Sequence, residues 1–284
     1  MPKIKSAAKK HGCVQHTGHN ISFSFGRNWQ DFLDQHLNSE REQIALRSMT
    51  EFLELPDFRN YSFCDIGCGS GLFSLAAYRL GARNIISIDV DPFSVECCQQ
   101  LRQSVGAPEN WTVAHGSVLD QEFLARFGKS DIVYAWGSLH HTGRMWEAIR
   151  NASDLLGPNG LFYLSIYNRV EGRGSSDYWL RVKKLYNRSS QTGKVLLEVA
   201  HALRSDIMPR LVRFQNPFIF INTYSRRRGM NYWTDVRDWL GGYPYECASA
   251  DEIFHFCKRE LNLELVNLRV TNTLGTNEFV FHKK

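Results

Sequence analysis

Between residues 61 and 80 the chain reads YSFCDIGCGSGLFSLAAYRL: an apolar run, three glycines at alternate positions, then apolar residues at helical spacing. Gly67, Gly69 and Gly71 carry no Cβ, so a chain bending through them brings bare backbone to a strand end, where a ligand can approach it. The stretch predicts a strand, a tight turn and a helix that stops at Gly81. The unit then repeats. NIISIDV reads as a buried strand, Asp91 and Pro92 as the cap and first residue of a helix, and FSVECCQQLRQ as its body. WTVAHGSV, DIVYAWG and GLFYLSIYN follow as strands, separated by QEFLARF and GRMWEAIRNASDLL as helices. Five strands alternating with helices form a parallel sheet covered on both faces. Near the end, Ser249 with Glu252 makes a capping box before another helix, and ELVNLRVT and NEFVFHK read as a closing hairpin. The expected fold class is α/β, a doubly wound, mostly parallel seven-stranded sheet with a C-terminal antiparallel hairpin and a helical cap insertion.

Four stretches divide the chain. Residues 1–22 read as a flexible basic tail, and residues 23–168 as the ligand-binding core, prefaced by a helix that Ser39 and Glu42 open as a capping box. Residues 169–248 break the strand-helix rhythm, and so long a stretch needs helices of its own or a function; it is expected to be an inserted cap over the site. Residues 249–284 complete the core. Charge is uneven: residues 1–30 hold five Lys/Arg and no Asp/Glu, and residues 173–228 hold twelve against three, within a total of 34 against 29. No apolar run has the length of a membrane span, and the N-terminus lacks the apolar stretch of a signal peptide, so a cytoplasmic location is expected. The seven cysteines form no CxxC pair and are expected as reduced thiols. His11, Cys13, His16 and His19 cluster in the tail without a hydrophobic frame to hold them, and no metal site is expected.

The glycine spacing is GxGxG, with Asp65 two places before the first glycine, and Asp89 closes the second strand, placed to accept hydrogen bonds from a ribose diol. DIGCGSG followed by SIDVDP resembles the first two motifs of class I S-adenosylmethionine-dependent methyltransferases. The resemblance extends through HGSVLD, DIVYAWGSLHH and LLGPNGLFYLSIYN, covering residues 60–168. Within that superfamily the chain is similar to the branch of ubiquinone-biosynthesis O-methyltransferases and related small-molecule enzymes. The resemblance implies the Rossmann-like methyltransferase fold and S-adenosylmethionine as cofactor. It also implies that Asp65, Gly67, Gly69 and Gly71 cradle the methionine part, that Asp89 holds the ribose, and that Ser117 and Val118 flank the adenine. Cys68, Val90 and Trp136 belong to the same cofactor-binding set. Many relatives carry an acidic residue where Ser117 stands, and a serine hydroxyl reaches less far than a carboxylate toward the adenine amino group.

Methyl transfer is an in-line displacement in which the protein chiefly aligns donor and acceptor. A hydroxyl acceptor must also lose a proton, a task suited to histidine near neutral pH. His140 and His141 follow the fourth strand, and either one is a candidate base; being adjacent, both cannot easily point into one pocket. From the cap, Asn168, Tyr178, Trp179, Lys183, Tyr232, Trp233 and Tyr243 are the candidate substrate-binding residues. They belong to an aromatic-rich set that includes Tyr186, Trp239 and Tyr245, some of which must simply be core.

The basic residues, Arg226, Arg227 and Arg228 among them, suit an anionic acceptor, a membrane surface, a nucleic acid or merely a solvated face; charge alone does not choose. VLLEVAHALRSDIMPRLVRF has the apolar and basic mixture of an interfacial helix, interrupted at Pro209. The leading function is O-methylation of a small-molecule acceptor, with peripheral membrane contact left open. Methylation of RNA or another nucleic acid ranks second: the loop after the fourth strand lacks both the Asn/Asp-Pro-Pro-aromatic sequence and a Pro-Cys nucleophile. A non-catalytic cofactor-binding partner subunit is the third reading. Nothing in the sequence specifies an oligomeric state.

Overall fold

The computed structural model describes residues 15–17, 20–22, 39–228 and 231–284. Two short strands, β1 (Gln15–Thr17) and β2 (Asn20–Ser22), pair antiparallel within the stretch expected as a flexible basic tail. His11, Cys13 and His19 of the tail cluster lie outside the described residues.

The central sheet comprises β3 (Ser62–Ile66), β4 (Asn84–Asp89), β5 (Trp111–His115), β6 (Ser130–Trp136), β7 (Leu156–Tyr167), β8 (Leu263–Arg269) and β9 (Thr276–Lys283), in the spatial order β5-β4-β3-β6-β7-β9-β8. Pairings from β5 through β7 are parallel; β9 runs antiparallel to both β7 and β8. This is the seven-stranded, doubly wound arrangement expected, with β8 and β9 as its closing hairpin. The strand order reverses at β3, so the carboxyl ends of β3, β4 and β6 frame a crevice where ligands of such sheets bind.

Both sheet faces are buried, which is why the strands read as continuous apolar runs. On one face Phe63, Ile85, Ile132 and Tyr134 pack against α1 (Ser39–Leu53), α2 (Leu72–Arg79) and α3 (Pro92–Ser104) through Met49, Phe52, Leu75, Ala76 and Leu101. On the other, Cys64, Ile66, Val133, Ala135 and Phe162 meet α4 (Gln121–Leu124), α5 (Met145–Ser153) and α11 (Ala250–Glu260). The Ser249 capping box on α11 is present as expected. Glu42, on the first turn of α1, pairs with Arg79 at 2.7 Å and ties α1 to α2. All six described cysteines are free thiols.

The cap consists of α6 (Ser176–Arg188), α7 (Gln191–Ala202), α8 (Met208–Val212), α9 (Pro217–Arg228) and α10 (Tyr232–Gly241). It has a small core of its own in Tyr186, Ala202, Tyr232, Val236 and Leu240. Pro209 does not interrupt the helix as expected. A π turn over Leu203–Ile207 joins α7 to α8, and the wider turn accommodates a residue with no N–H to donate. Among the described residues no helix is long and apolar enough to cross a membrane.

Candidate active site

At the end of β3 the chain turns through Gly67, Gly69 and Gly71 with φ of 74°, 54° and 82°. A residue with a side chain pays about 1–2 kcal/mol in that region. At Gly67 packing forbids one altogether: a Cβ there would lie 2.2 Å from the Cβ of Ser138. At Gly71 it would lie 2.7 Å from Cys98 Sγ. The turn is fastened to β4, because Gly67 and Cys68 donate to the Ile88 carbonyl at 2.8 and 3.1 Å. Gly69 N–H donates to Asp89 Oδ2 at 2.9 Å.

Two carboxylates flank this turn. Asp65 is buried and accepts from the Ser74 hydroxyl at 2.6 Å; Ser87 donates to Ser74 and the Trp111 indole to Ser87, completing a buried relay. Burial pushes the Asp65 carboxyl up to about 7, with the charge of Asp89 adding to the rise and the Ser74 hydrogen bond opposing it. Asp89, also accepting from Asp91 N–H at 2.8 Å, is pushed up to about 6 by burial, against these backbone hydrogen bonds. Among the described residues no lysine or arginine pairs with either carboxylate. A buried Asp65 and a half-buried Asp89, with no cation beside them among the described residues, are electrostatically incomplete, and a positively charged ligand completes them.

The remaining cofactor-set residues surround this centre. Cys68 is buried within the turn, and Val90 is exposed just past Asp89. Ser117 lies beyond the end of β5, where its hydroxyl accepts from Leu119 N–H at 3.1 Å. Val118 is buried in the main core, and its carbonyl accepts from Asn151. Trp136 ends β6, half-exposed, its ring 5.7 Å from Phe73 and its indole N–H directed at Glu278.

The loop after β6 joins the glycine turn to the histidines. Ser138 donates its hydroxyl to the Ile66 carbonyl at 2.7 Å, and His141 N–H donates to the Ser138 carbonyl at 3.0 Å. His140 is fully buried, its ring 4.1 Å from that of Tyr167 and 4.5 Å from that of His141. Burial and then the neighbouring His141 hold its pKa well below the usual histidine range. His141 is half-buried, and Nδ1 lies 2.6 Å from the Pro244 carbonyl. A carbonyl only accepts, so Nδ1 carries the proton and Nε2 the lone pair. Burial lowers His141 to about 4, so its ring is neutral at physiological pH.

Above the histidines the cap contributes Lys183, whose Nζ lies 4.3 Å from the Trp239 ring and 5.0 Å from that of Tyr245, and donates to the Trp239 carbonyl. Burial lowers it to about 7, opposed by the charge of Asp238. Tyr167, at the end of β7, touches this group from below, 5.3 Å from Tyr245.

Other cap candidates are placed differently. Trp179 reaches Trp239 edge-on at 5.1 Å, while Tyr178 is exposed on the outer surface. Tyr232 donates to Asp206 at 2.9 Å and packs with Trp233 inside the cap's own core. Asn168 spends its amide on the hairpin connection, donating to the Thr271 and Thr273 carbonyls and accepting from Asn277. Tyr243 is half-buried, just before Pro244. Sequence reasoning missed Ser138 and Tyr167. For Tyr167 the available signal was its place as the last strand residue at the carboxyl edge.

A family profile described as "Methyltransferase domain" matches residues 37–233. The ribosomal protein L11 methyltransferase of Hamiltonella defensa subsp. Acyrthosiphon pisum (strain 5AT) is 40% identical over 60 residues, 21% of this chain and 20% of that protein. The chain thus spans about a fifth of that relative's length. Among solved structures, PKMT2 from Rickettsia typhi in complex with AdoHcy aligns with a TM-score of 0.56 at 15% identity, over 93% of this chain and 54% of that one. Magnesium protoporphyrin IX methyltransferase (ChlM) from Synechocystis PCC 6803 with bound SAM aligns at 0.51 and 10% identity, over 91% and 90%. At such identities the likeness is one of fold.

Proposed function

We propose, from the premise that this chain belongs to the methyltransferase domain family, that it methylates an oxygen of a small acceptor bearing an anionic group, held beneath the cap. The chain is an enzyme, and its cofactor is S-adenosylmethionine. The non-catalytic reading therefore gives way. The acceptor is our reading.

The residues present fit that cofactor. Asp65 and Asp89 are the incomplete pair that a cation satisfies, Asp89 offers oxygens for a ribose diol, and the glycine turn keeps side chains out of the cradle. When bound, the cofactor supplies a methyl group activated on a positively charged sulfur. What the chain adds is alignment, proton removal and exclusion of water. Nε2 of His141, the lone-pair nitrogen of a neutral ring, takes the hydroxyl proton. His140, buried behind it, holds the loop in shape. Lys183 presents a charge to an anionic group on the acceptor, and Tyr167, Trp239 and Tyr245 wall the space against solvent.

One observation carries this reading: the His141–Ser138 hydrogen bond, which sets the base one turn from a serine packed directly on Gly67. The test is incubation with isotopically methyl-labelled S-adenosylmethionine and a cell extract separated into small-molecule, RNA and protein fractions. Label should enter a small molecule as a methyl ether and should depend on His141. Label confined to RNA or protein would overturn the acceptor assignment.

A further inference from the structure

On the outer face of the cap, Leu196, Val199, Leu203, Met208, Leu211 and Val212 are all exposed. Steps of three or four residues keep side chains on one face of an α-helix, but the five-residue step from Leu203 to Met208 would carry the stripe to the far side. The π turn over Leu203–Ile207 lies in that step and absorbs the extra residue, so one apolar stripe runs the length of α7 and α8. Past its end Phe214 is 100% exposed at the turn, and Phe218 is 72% exposed on the first turn of α9. A surface of this kind needs an occupant.

The charges around it indicate which. Arg204 and Arg213, exposed, stand beside Leu203 and Phe214, and Lys184 and Arg188 are exposed on α6. Between residues 191 and 224 the only carboxylates are Glu198 and Asp206. Glu198 is buried against Tyr186 and Arg237, and Asp206 is bound by Arg210 and Tyr232. The stretch from residue 191 to 224 is thus apolar and basic, with no exposed carboxylate; the exposed Asp177 of α6 sits at the opposite end of its helix from Lys184 and Arg188. A second copy of the chain docked symmetrically would set these arginines near their own counterparts with nothing to neutralise them. Residues 1–30, with five basic side chains and no acidic one, carry the same sign and do not complement it.

We propose that the stripe along α7 and α8, with Phe214 and Phe218 beyond it, seats the protein on an anionic lipid surface, the apolar side chains entering the headgroup boundary and the arginines meeting lipid phosphates. This inference goes beyond methyl transfer and does not rest on it. The whole chain is floated with vesicles of phosphatidylcholine alone and with vesicles containing about one third phosphatidylglycerol. Binding is expected to the second, weakly to the first, and to fall as salt rises. The double variant Arg204→Ala, Arg213→Ala should bind the anionic vesicles about 25-fold less well, at about fivefold per charge. The triple variant Leu196→Ser, Leu203→Ser, Phe214→Ser should stay unbound, while its circular dichroism and its calorimetric affinity for S-adenosylmethionine match the parent. Absence of flotation by the parent, or flotation unchanged in the triple variant, overturns the proposal. So does a lipid-free dimer that the triple substitution disperses, which would make the face a self-interface.

Discussion

Ser138 occupies the space that a side chain on Gly67 would fill: a Cβ built on Gly67 falls 2.2 Å from the Cβ of Ser138, and the Ser138 hydroxyl binds the Ile66 carbonyl at 2.7 Å. The contact joins the cofactor turn after β3 to the loop that bears the histidines after β6. Neither can shift without the other, so the two halves of the site are held as one body. Gly67→Ala should therefore cost more than a left-handed backbone alone, which is about 1–2 kcal/mol. We expect loss of measurable S-adenosylmethionine binding by calorimetry. Adding Ser138→Gly should recover part of it, and a double-mutant cycle gives the coupling. Equal affinities for the parent and Gly67→Ala would refute the link.

Cofactor affinity should depend on pH through Asp89 and Asp65. Both carboxyls lie high in the folded protein, at about 6 and about 7, because burial disfavours their charge. A cationic ligand favours the ionised forms, so binding is strong above this window and weakens as pH falls through it, by at most about tenfold per pH unit for each proton taken up. S-adenosylhomocysteine, with a neutral sulfur, should show a shallower dependence. Asp89→Asn should weaken binding at pH 8 and flatten the profile, which calorimetry across pH 5–8 checks.

The two histidines should separate cleanly. His141→Ala is expected to lower kcat by about 100-fold or more, the scale of a lost general base, with cofactor affinity unchanged. Because burial holds His141 near 4, its own titration should cut kcat only in strong acid, below the carboxylate window. His140→Ala removes a fully buried ring packed on Tyr167. It should show mainly in thermal unfolding, at roughly 2–3 kcal/mol. A kcat loss in His140→Ala as large as that in His141→Ala would reverse the assignment.

Much of the fold was legible in the sequence for a physical reason: strands buried on both faces read as unbroken apolar runs, and the turn beside Asp65 needs residues without a Cβ. The cap was legible only as an interruption. Aromatic rings at helical spacing do not reveal which side they face, so Tyr232, in the cap's core, and Lys183, over the histidines, stood equal as candidates. Ser138 left no trace either. Its role comes from contact with a residue 71 positions earlier. Asn168 sits at a strand's carboxyl edge, yet its amide is spent on the β8–β9 connection, which sequence proximity could not show. Pro209 was misleading because the π turn before it is invisible to a rule built on regular helices.

Lys183 gives the sharpest test of the acceptor assignment, because its two effects run in opposite directions. Its pKa is lowered from 10.5 to about 7 by burial. Below about pH 7 both folded and unfolded chains carry the proton, and the fold bears the full cost of burying the charge. Between about 7 and 10.5 only the unfolded chain holds the proton, so this penalty is relieved as pH rises. Lys183→Met keeps the length and removes the charge. It should raise stability at pH 6 by roughly 2–4 kcal/mol, with the gain shrinking by pH 9, as chemical denaturation at both values would show. With an anionic acceptor the same variant should raise KM about tenfold or more at pH 6 and leave kcat nearly unchanged, since ground and transition states lose the same contact. A variant that is more stable at low pH yet keeps the parent's KM would show that the buried ammonium belongs to the cap's architecture, and the acceptor need carry no negative charge.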